Sequence, residues 1–279
     1  MLLEFTKMEG LGNDYIYVDS CRFPVNDPSA LAVKLSDRHF GIGSDGLVLI
    51  GRSDKADFSM RMFNADGSEA QMCGNASRCI AKYVYDKGLT NKSTITLDTL
   101  SGVKTLSIHK GDDGLVTSVT VDMGTARIAE KYLELEAAGR HFRGYLVDMG
   151  NPHFTVLCKD AEAIDLERFG PAIEHHPLFP ERINAEFVSI LPSTSGTSSG
   201  SESSRLRVRV WERGSGITLA CGTGACASVA ALVTSGIASS PCCVVMDGGT
   251  LQVSCSADGS LHMTGPARTV FEGTVELSD

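Results

Sequence analysis

The chain has 279 residues, 42% of them hydrophobic and 21% charged, with a formal net charge of −9. These are globular values, sufficient for two ordinary domains or one large one. The acidity argues against nucleic acid and anionic membrane surfaces, which recruit clustered Lys and Arg. No apolar run approaches the roughly 18 residues needed to span a bilayer. The opening stretch MLLEFTKMEG interrupts its apolar residues with charges, unlike a signal peptide, so a cytoplasmic location is expected.

In chain order, helical patterns fall at about 28–38, 74–87, 161–175 and 222–235. Alternating apolar runs predict half-buried strands at 57–63, 93–100, 115–123, 186–191 and 205–211. GDDG at 111–114 and DGG at 247–249 predict hairpin turns. Strands outnumber helices and do not alternate with them, which predicts an α+β fold with largely antiparallel sheets. The Ser/Gly-rich stretch 193–204 reads as a flexible loop joining two strands.

The nine cysteines form no C-x-x-C pair and no Cys/His spacing suited to zinc, so neither a disulfide framework nor a metal is expected. Most should be small buried residues. Two stand apart because the chain repeats itself around them. NADGSEAQMCGNASRCIAKYVYDKG (64–88) shares its layout with ERGSGITLACGTGACASVAALVTSG (212–236). Cys73 and Cys221 lie 148 positions apart, as do the helix-stopping glycines Gly88 and Gly236. Upstream, Asn13 and Asn151 each follow a glycine and precede a strand, 138 positions apart. The Ser/Gly stretch in the second half accounts for most of the ten-residue difference. The pattern predicts two similar domains, each delivering one cysteine to a helix N-terminus.

Unpaired N–H groups and the positive dipole end at such a position lower a thiol's pKa and bind carboxylates. If two similar domains face each other across a cleft, one thiolate can remove a proton from one face of a carbon while a thiol delivers one to the other. Amide donors at both helix ends would stabilise the enolate-like intermediate. No phosphate-binding loop, dinucleotide fingerprint or metal cluster is evident, consistent with a cofactor-independent route. Three alternatives stand beside this: a redox pair, acyl transfer by Cys73 or Cys221 with His153 as base, and a binding module of two similar domains.

These residues also carry a resemblance that covers essentially the whole chain. KMEGLGNDYIYVD (7–19), RHFGIGSDGL (38–47), FNADGSEAQMCGN (63–75), GNPH (150–153), RINAEFV (182–188) and WERGSGITLACGTGACA (211–227) together resemble the diaminopimelate epimerases. The proline racemases and phenazine-type isomerases share that fold, and a proline racemase-like enzyme is the alternative. The resemblance implies two pseudo-symmetric domains, each a mostly antiparallel sheet around a central helix, with the active site in the cleft between them. It implies domains at about 1–124 and 125–266, with 267–279 returning as a strand to the first.

The resemblance further implies interconversion of LL- and meso-2,6-diaminopimelate without a cofactor, with Cys73 and Cys221 as the acid/base pair. Backbone amides of Gly74, Asn75, Gly222 and Thr223 would hold the carboxylate beside the reacting carbon. Asn13, Asn64, Asn151, Asn184, Glu212 and Arg213 would contact the substrate, and His153 and Glu212 would assist thiol deprotonation. A homodimer is the family expectation, with a small molecule as the only other partner. The chain departs from the family at Gly46, where many members carry glutamine, at Ile217, where glutamate is common, and at Ala76-Ser77, where Gly-Ala is usual.

Overall fold

The computed structural model describes residues 2–130, 132–192 and 203–277. It divides into two compact units, Met1–Val121 with Thr264–Asp279, and Asp122–Met263. The first contains β1 (Leu2–Gly10), β2 (Asn13–Asp19), α1 (Pro28–Ser36), β3 (Gly46–Gly51), β4 (Phe58–Asn64), β5 (Glu69–Ala70), α2 (Gly74–Asp86), β6 (Thr94–Thr99), β7 (Gly102–Lys110) and most of β8 (Val116–Thr125). The second contains β9 (Arg127–Ile128), β10 (Leu133–Ala137), β11 (Arg140–Asp148), β12 (Pro152–Leu157), α3 (Leu166–Glu174), β13 (Asn184–Leu191), β14 (Ser204–Glu212), β15 (Gly216–Ile217), α4 (Gly222–Thr234), β16 (Cys242–Met246), β17 (Gly249–Cys255) and the start of β18 (Ser260–Pro266). The last strand, β19 (Arg268–Glu276), pairs antiparallel with β1, so it belongs to the first unit.

The two units repeat one pairing scheme. In the first, β1 meets β2 antiparallel, β2 meets β3 parallel, β3 meets β4 antiparallel, β4 meets β6 parallel, and β6 meets β7 antiparallel. In the second, β11–β12, β12–β13, β13–β14, β14–β16 and β16–β17 follow the same sequence of antiparallel and parallel contacts. Each parallel step needs a crossover, and the helices supply it: α1 and α3 at the first, α2 and α4 at the second. The fold is therefore α+β and largely antiparallel. GDDG joins β7 to β8, and DGG joins β16 to β17, each a hairpin turn.

Helix starts follow their caps. The Asp27 side chain accepts from the Ala30 N–H at the head of α1. The Asp165 side chain accepts from the Arg168 N–H, so α3 begins at Leu166 rather than near 161. On one sheet face, α1 packs Leu31 and Leu35 against Leu3, Ile16, Leu47 and Phe63. Its counterpart α3 packs Leu166, Phe169 and Ile173 against Phe142, Phe154, Ala185 and Phe187. The other helices, α2 and α4, are deeply buried: Cys79, Ile80 and Val84 in α2, and Ala225, Cys226, Val229 and Leu232 in α4, are core residues.

Strand β13 departs from the half-buried expectation, since every residue from Asn184 to Ser189 is buried. Ala185 and Phe187 pack in the α3 cluster, while Glu186, on the opposite face, lies against Gly224 of α4. A helix on each side covers both faces. The stretch 193–202 lies outside the described residues; the flanking β13 and β14 are antiparallel neighbours. Among the described residues no helix is long and apolar enough to cross a membrane.

Candidate active site

Cys73 is the N-cap of α2 and Cys221 the N-cap of α4, both in extended backbone conformation before helices of 13 residues each. Each helix stops the same way. Lys87 and Ser235 take the C-cap, and Gly88 and Gly236 follow with φ of +71° in both cases. That left-handed conformation is why glycine stands there. The remaining cysteines of these helices, Cys79 and Cys226, are fully buried. Burial pushes the Cys79 thiol up to about 12, so it is an inert packing residue.

In the first unit, Asn13, Cys73 and Asn75 come together. The Cys73 thiol donates to Asn13 Oδ1 at 3.5 Å, and Asn75 Nδ2 donates to the same oxygen at 3.3 Å. Two supports fix this pair. Asn13 Nδ2 donates to Asp45 Oδ2 at 2.8 Å, and Asp45 is itself held by Arg38 at 2.9 Å. Behind them, Arg78 Nη2 donates to Asn75 Oδ1 at 2.9 Å, and Arg78 Nε donates to the Pro266 carbonyl at 3.0 Å. Arg78 is fully buried and its Nη1 has no hydrogen-bond partner among the described residues. Asn64, at the end of β4, donates to Ser68 Oγ at 3.0 Å, and the next residue, Ala65, donates its N–H to the Asp45 carbonyl at 2.9 Å. Gly74 and Asn75 open α2, so their N–H groups have no partner within the helix.

Gly46 is explained by packing. A Cβ there would lie 2.0 Å from the Phe63 carbonyl oxygen and 2.8 Å from the Tyr15 ring. This backbone has no room for the glutamine that relatives carry. Ser77, the other departure on this side, donates its hydroxyl to the Cys73 carbonyl at 2.9 Å.

In the second unit, a chain of polar contacts leads to Cys221. Asn151 Nδ2 donates to Thr223 Oγ1 at 3.4 Å, and Thr223 Oγ1 lies 3.4 Å from Cys221 Sγ. The Gly224 N–H also donates to Cys221 Sγ at 3.4 Å. His153 Nε2 lies 3.1 Å from Asn151 Oδ1. His153 Nδ1 lies 2.6 Å from Glu186 Oε1, both side chains being 0% exposed. Glu212 accepts from the Thr218 hydroxyl and faces Cys221. Burial pushes the Glu212 carboxyl up, and the neighbouring Glu186 adds to this.

The helix terminus does not dominate the Cys221 thiol. Burial pushes it up, and the Glu212 and Glu186 carboxylates reinforce the rise; the Thr223 hydroxyl and Gly224 N–H pull the other way and lose. The sequence-based expectation of a lowered thiol is therefore corrected at Cys221. Desolvation beside two acids outweighs the hydrogen bonds that Thr223 and the Gly224 N–H supply.

Asn184 pairs with His153 across β12 and β13, and Arg213 bonds to it. Asn184 Nδ2 donates to the Pro152 carbonyl at 2.8 Å, and its Oδ1 accepts from the Arg213 N–H at 2.9 Å. The exposed Arg213 guanidinium reaches the Glu181 carbonyl at 3.1 Å. Gly222 and Thr223 open α4 as Gly74 and Asn75 open α2. Ile217 stands half-exposed on β15, opposite Trp211, away from these contacts. Asp45, Arg78 and Glu186 are the supporting residues that sequence reasoning missed. Asp45 sits within RHFGIGSDGL, Glu186 within RINAEFV two positions after Asn184, and Arg78 three positions beyond the end of FNADGSEAQMCGN.

Comparison with known proteins gives the family and the fold. The family model described as diaminopimelate epimerase matches residues 5–129 and 145–270. A diaminopimelate epimerase of Phocaeicola vulgatus is 55% identical over 99% of both chains. One from Bacteroides thetaiotaomicron is 52% identical over 98% of both. Among solved structures, a phenazine biosynthesis protein of the PhzF family from Bacillus anthracis is similar at a TM-score of 0.73. Its identity is 15%, covering 99% of this chain and 100% of that one, which speaks to the fold alone.

Proposed function

The chain belongs to the diaminopimelate epimerase family, and on that premise we propose that Cys73 and Cys221 are the two acid/base groups of its reaction. The enzyme is an epimerase acting on diaminopimelate, in lysine biosynthesis. Inversion at one carbon needs a base on one face and an acid on the other. A thiolate takes the α-proton, leaving an enolate-like carbanion, and the second sulfur donates its own proton to the opposite face. One C–H bond breaks, another forms, and the two sulfurs exchange protonation states. The carrying observation is the repeat itself, which delivers the same residue to the same cap of the same-length helix twice.

The first-turn amides of Gly74, Asn75, Gly222 and Thr223 are free to bind the carboxylate beside the reacting carbon, where negative charge develops. Arg213, exposed on its loop, suits the distal carboxylate bidentately, with Asn184 fixing its backbone. Asn13, Asn64 and Asn151 supply neutral donors and acceptors for the ammonium and carboxylate groups. Glu212, facing Cys221, has the position of a thiol-assisting group more than that of an ammonium anchor. The reading includes a cytoplasmic homodimer, checked by cell fractionation and sedimentation. NMR of α-proton exchange in deuterated water tests the function directly: LL-diaminopimelate should exchange and proline should not. Exchange with proline instead would favour a racemase of the same fold, and exchange with neither would refute the proposal.

A further inference from the structure

Glu186 is an anomaly. It is a fully buried carboxylate on β13, its Oε2 has no hydrogen-bond partner among the described residues, and no Lys or Arg pairs with it there. An isolated buried charge is costly, so such a group persists only where something uses it. Among the described residues its hydrogen-bond partner is His153 Nδ1 at 2.6 Å. The opposite ring nitrogen, Nε2, faces Asn151 Oδ1. Both ring nitrogens thus face oxygens, so Nε2–H donates to Asn151 and a single proton lies between Nδ1 and Oε1. With its Oδ1 occupied, Asn151 can only turn its Nδ2 to Thr223, whose hydroxyl touches Cys221. Gly224 completes the arrangement, because a Cβ there would lie 2.7 Å from Glu186 Oε1. The helix turn that carries Cys221 is shaped around this carboxylate.

We propose that Glu186 is a positioning residue for the Cys221 half of the reaction, acting through His153, Asn151 and Thr223. It holds the imidazole and the amide in one orientation, and so aims the Thr223 hydroxyl at the Cys221 sulfur. The titratable groups facing this cluster are His153 from β12, Glu186 from β13, Glu212 from β14 and Cys221 at the head of α4. The inference rests on the assignment of Cys221 as an acid/base group, and its test is separable from that assignment.

The test is Glu186→Gln, of nearly equal volume. Alkylation of Cys221 by iodoacetamide, followed by peptide mass spectrometry against pH, should keep the wild-type inflection, because the amide and a neutral imidazole replace a pair whose net charge is also zero. Turnover of diaminopimelate should fall at least tenfold in both directions, as a fixed equilibrium constant requires, with KM little changed. Unchanged alkylation with slower turnover is a split that mere loss of packing around a buried thiol would not produce. Glu186→Asp keeps the charge but withdraws it by one methylene, and should keep the wild-type inflection while losing turnover. In the wild type, the shared proton should appear as a far-downfield His153 ring resonance that exchanges slowly; this needs no variant. Wild-type turnover by folded Glu186→Gln, a moved alkylation inflection, or absence of that resonance, overturns the inference. A wild type that fails to epimerise diaminopimelate refutes the proposed function instead.

Discussion

Replacing Gly224 by alanine sets two known effects against each other. Glycine inside a helix costs roughly 1 kcal/mol relative to alanine, so propensity alone favours the variant. The added Cβ, however, would lie 2.7 Å from Glu186 Oε1, 3.2 Å from its Cγ and 3.3 Å from its Cδ. Glu186 has nowhere to retreat, since it is wholly buried and Oε1 is bound to His153. Overpacking of this kind costs about 1–3 kcal/mol. Loosening a buried, charge-assisted hydrogen bond adds about 1.5–3 kcal/mol. The clash outweighs the propensity, leaving a net destabilisation of about 1.5–5 kcal/mol and a Tm lower by several degrees. Thermal unfolding followed by circular dichroism measures it, alongside the epimerase assay on the same preparation. A variant as stable as the wild type, or more so, would show that Glu186 does not occupy the space against α4.

Cys73→Ala and Cys221→Ala should each abolish epimerisation, yet each should still eliminate a leaving group from a halogenated substrate analogue, because elimination needs only one base; near wild-type epimerisation by either variant would sink the two-base mechanism. Gly46→Gln, which restores the residue common in relatives, should cost about 3 kcal/mol in urea unfolding because of the Phe63 carbonyl; an unchanged midpoint would contradict the packing. Asp14 gives a pH test. Burial pushes its carboxyl up, but the Arg38 and Lys7 contacts outweigh burial and hold it below the ordinary range. A depressed folded-state value means stability that is fully present above the unfolded value of about 3.9 and lost as pH falls through the folded one. The stability gap between wild type and Asp14→Asn should therefore be constant above about pH 5 and close below about pH 4, as measured by urea melts across that range.

The repeat was readable because its parts are governed by short-range chemistry. A cap residue, an amphipathic run and a left-handed glycine leave a signature in any one sequence, and Cys73 to Gly88 matches Cys221 to Gly236 position for position. What could not be read is the layer behind. Glu186 lies in a strand whose apolar alternation suggests a solvent-facing acid, and only α4 on its far side makes it interior. Arg78 looks like an ordinary helical charge until its burial is known. Asp45 reaches Asn13 across 32 residues of chain. The direction of the Cys221 shift depends on the same long-range neighbours. Helix position argued one way, and burial, reinforced by two carboxylates from β13 and β14, pushes it the other way.

The pairing of β19 with β1 has a consequence for biogenesis. Residues 268–276 supply a neighbour for the strand at 2–10, so the first unit is discontinuous in sequence, whereas the second runs unbroken from 122 to 263. A ribosome releases the N-terminal part of the first unit long before its closing strand exists, and that edge must wait, exposed, through the synthesis of everything between. The half translated second can therefore be the half that folds first. Nascent-chain proteolysis should find Asp122–Met263 protected while the earlier residues are still digestible.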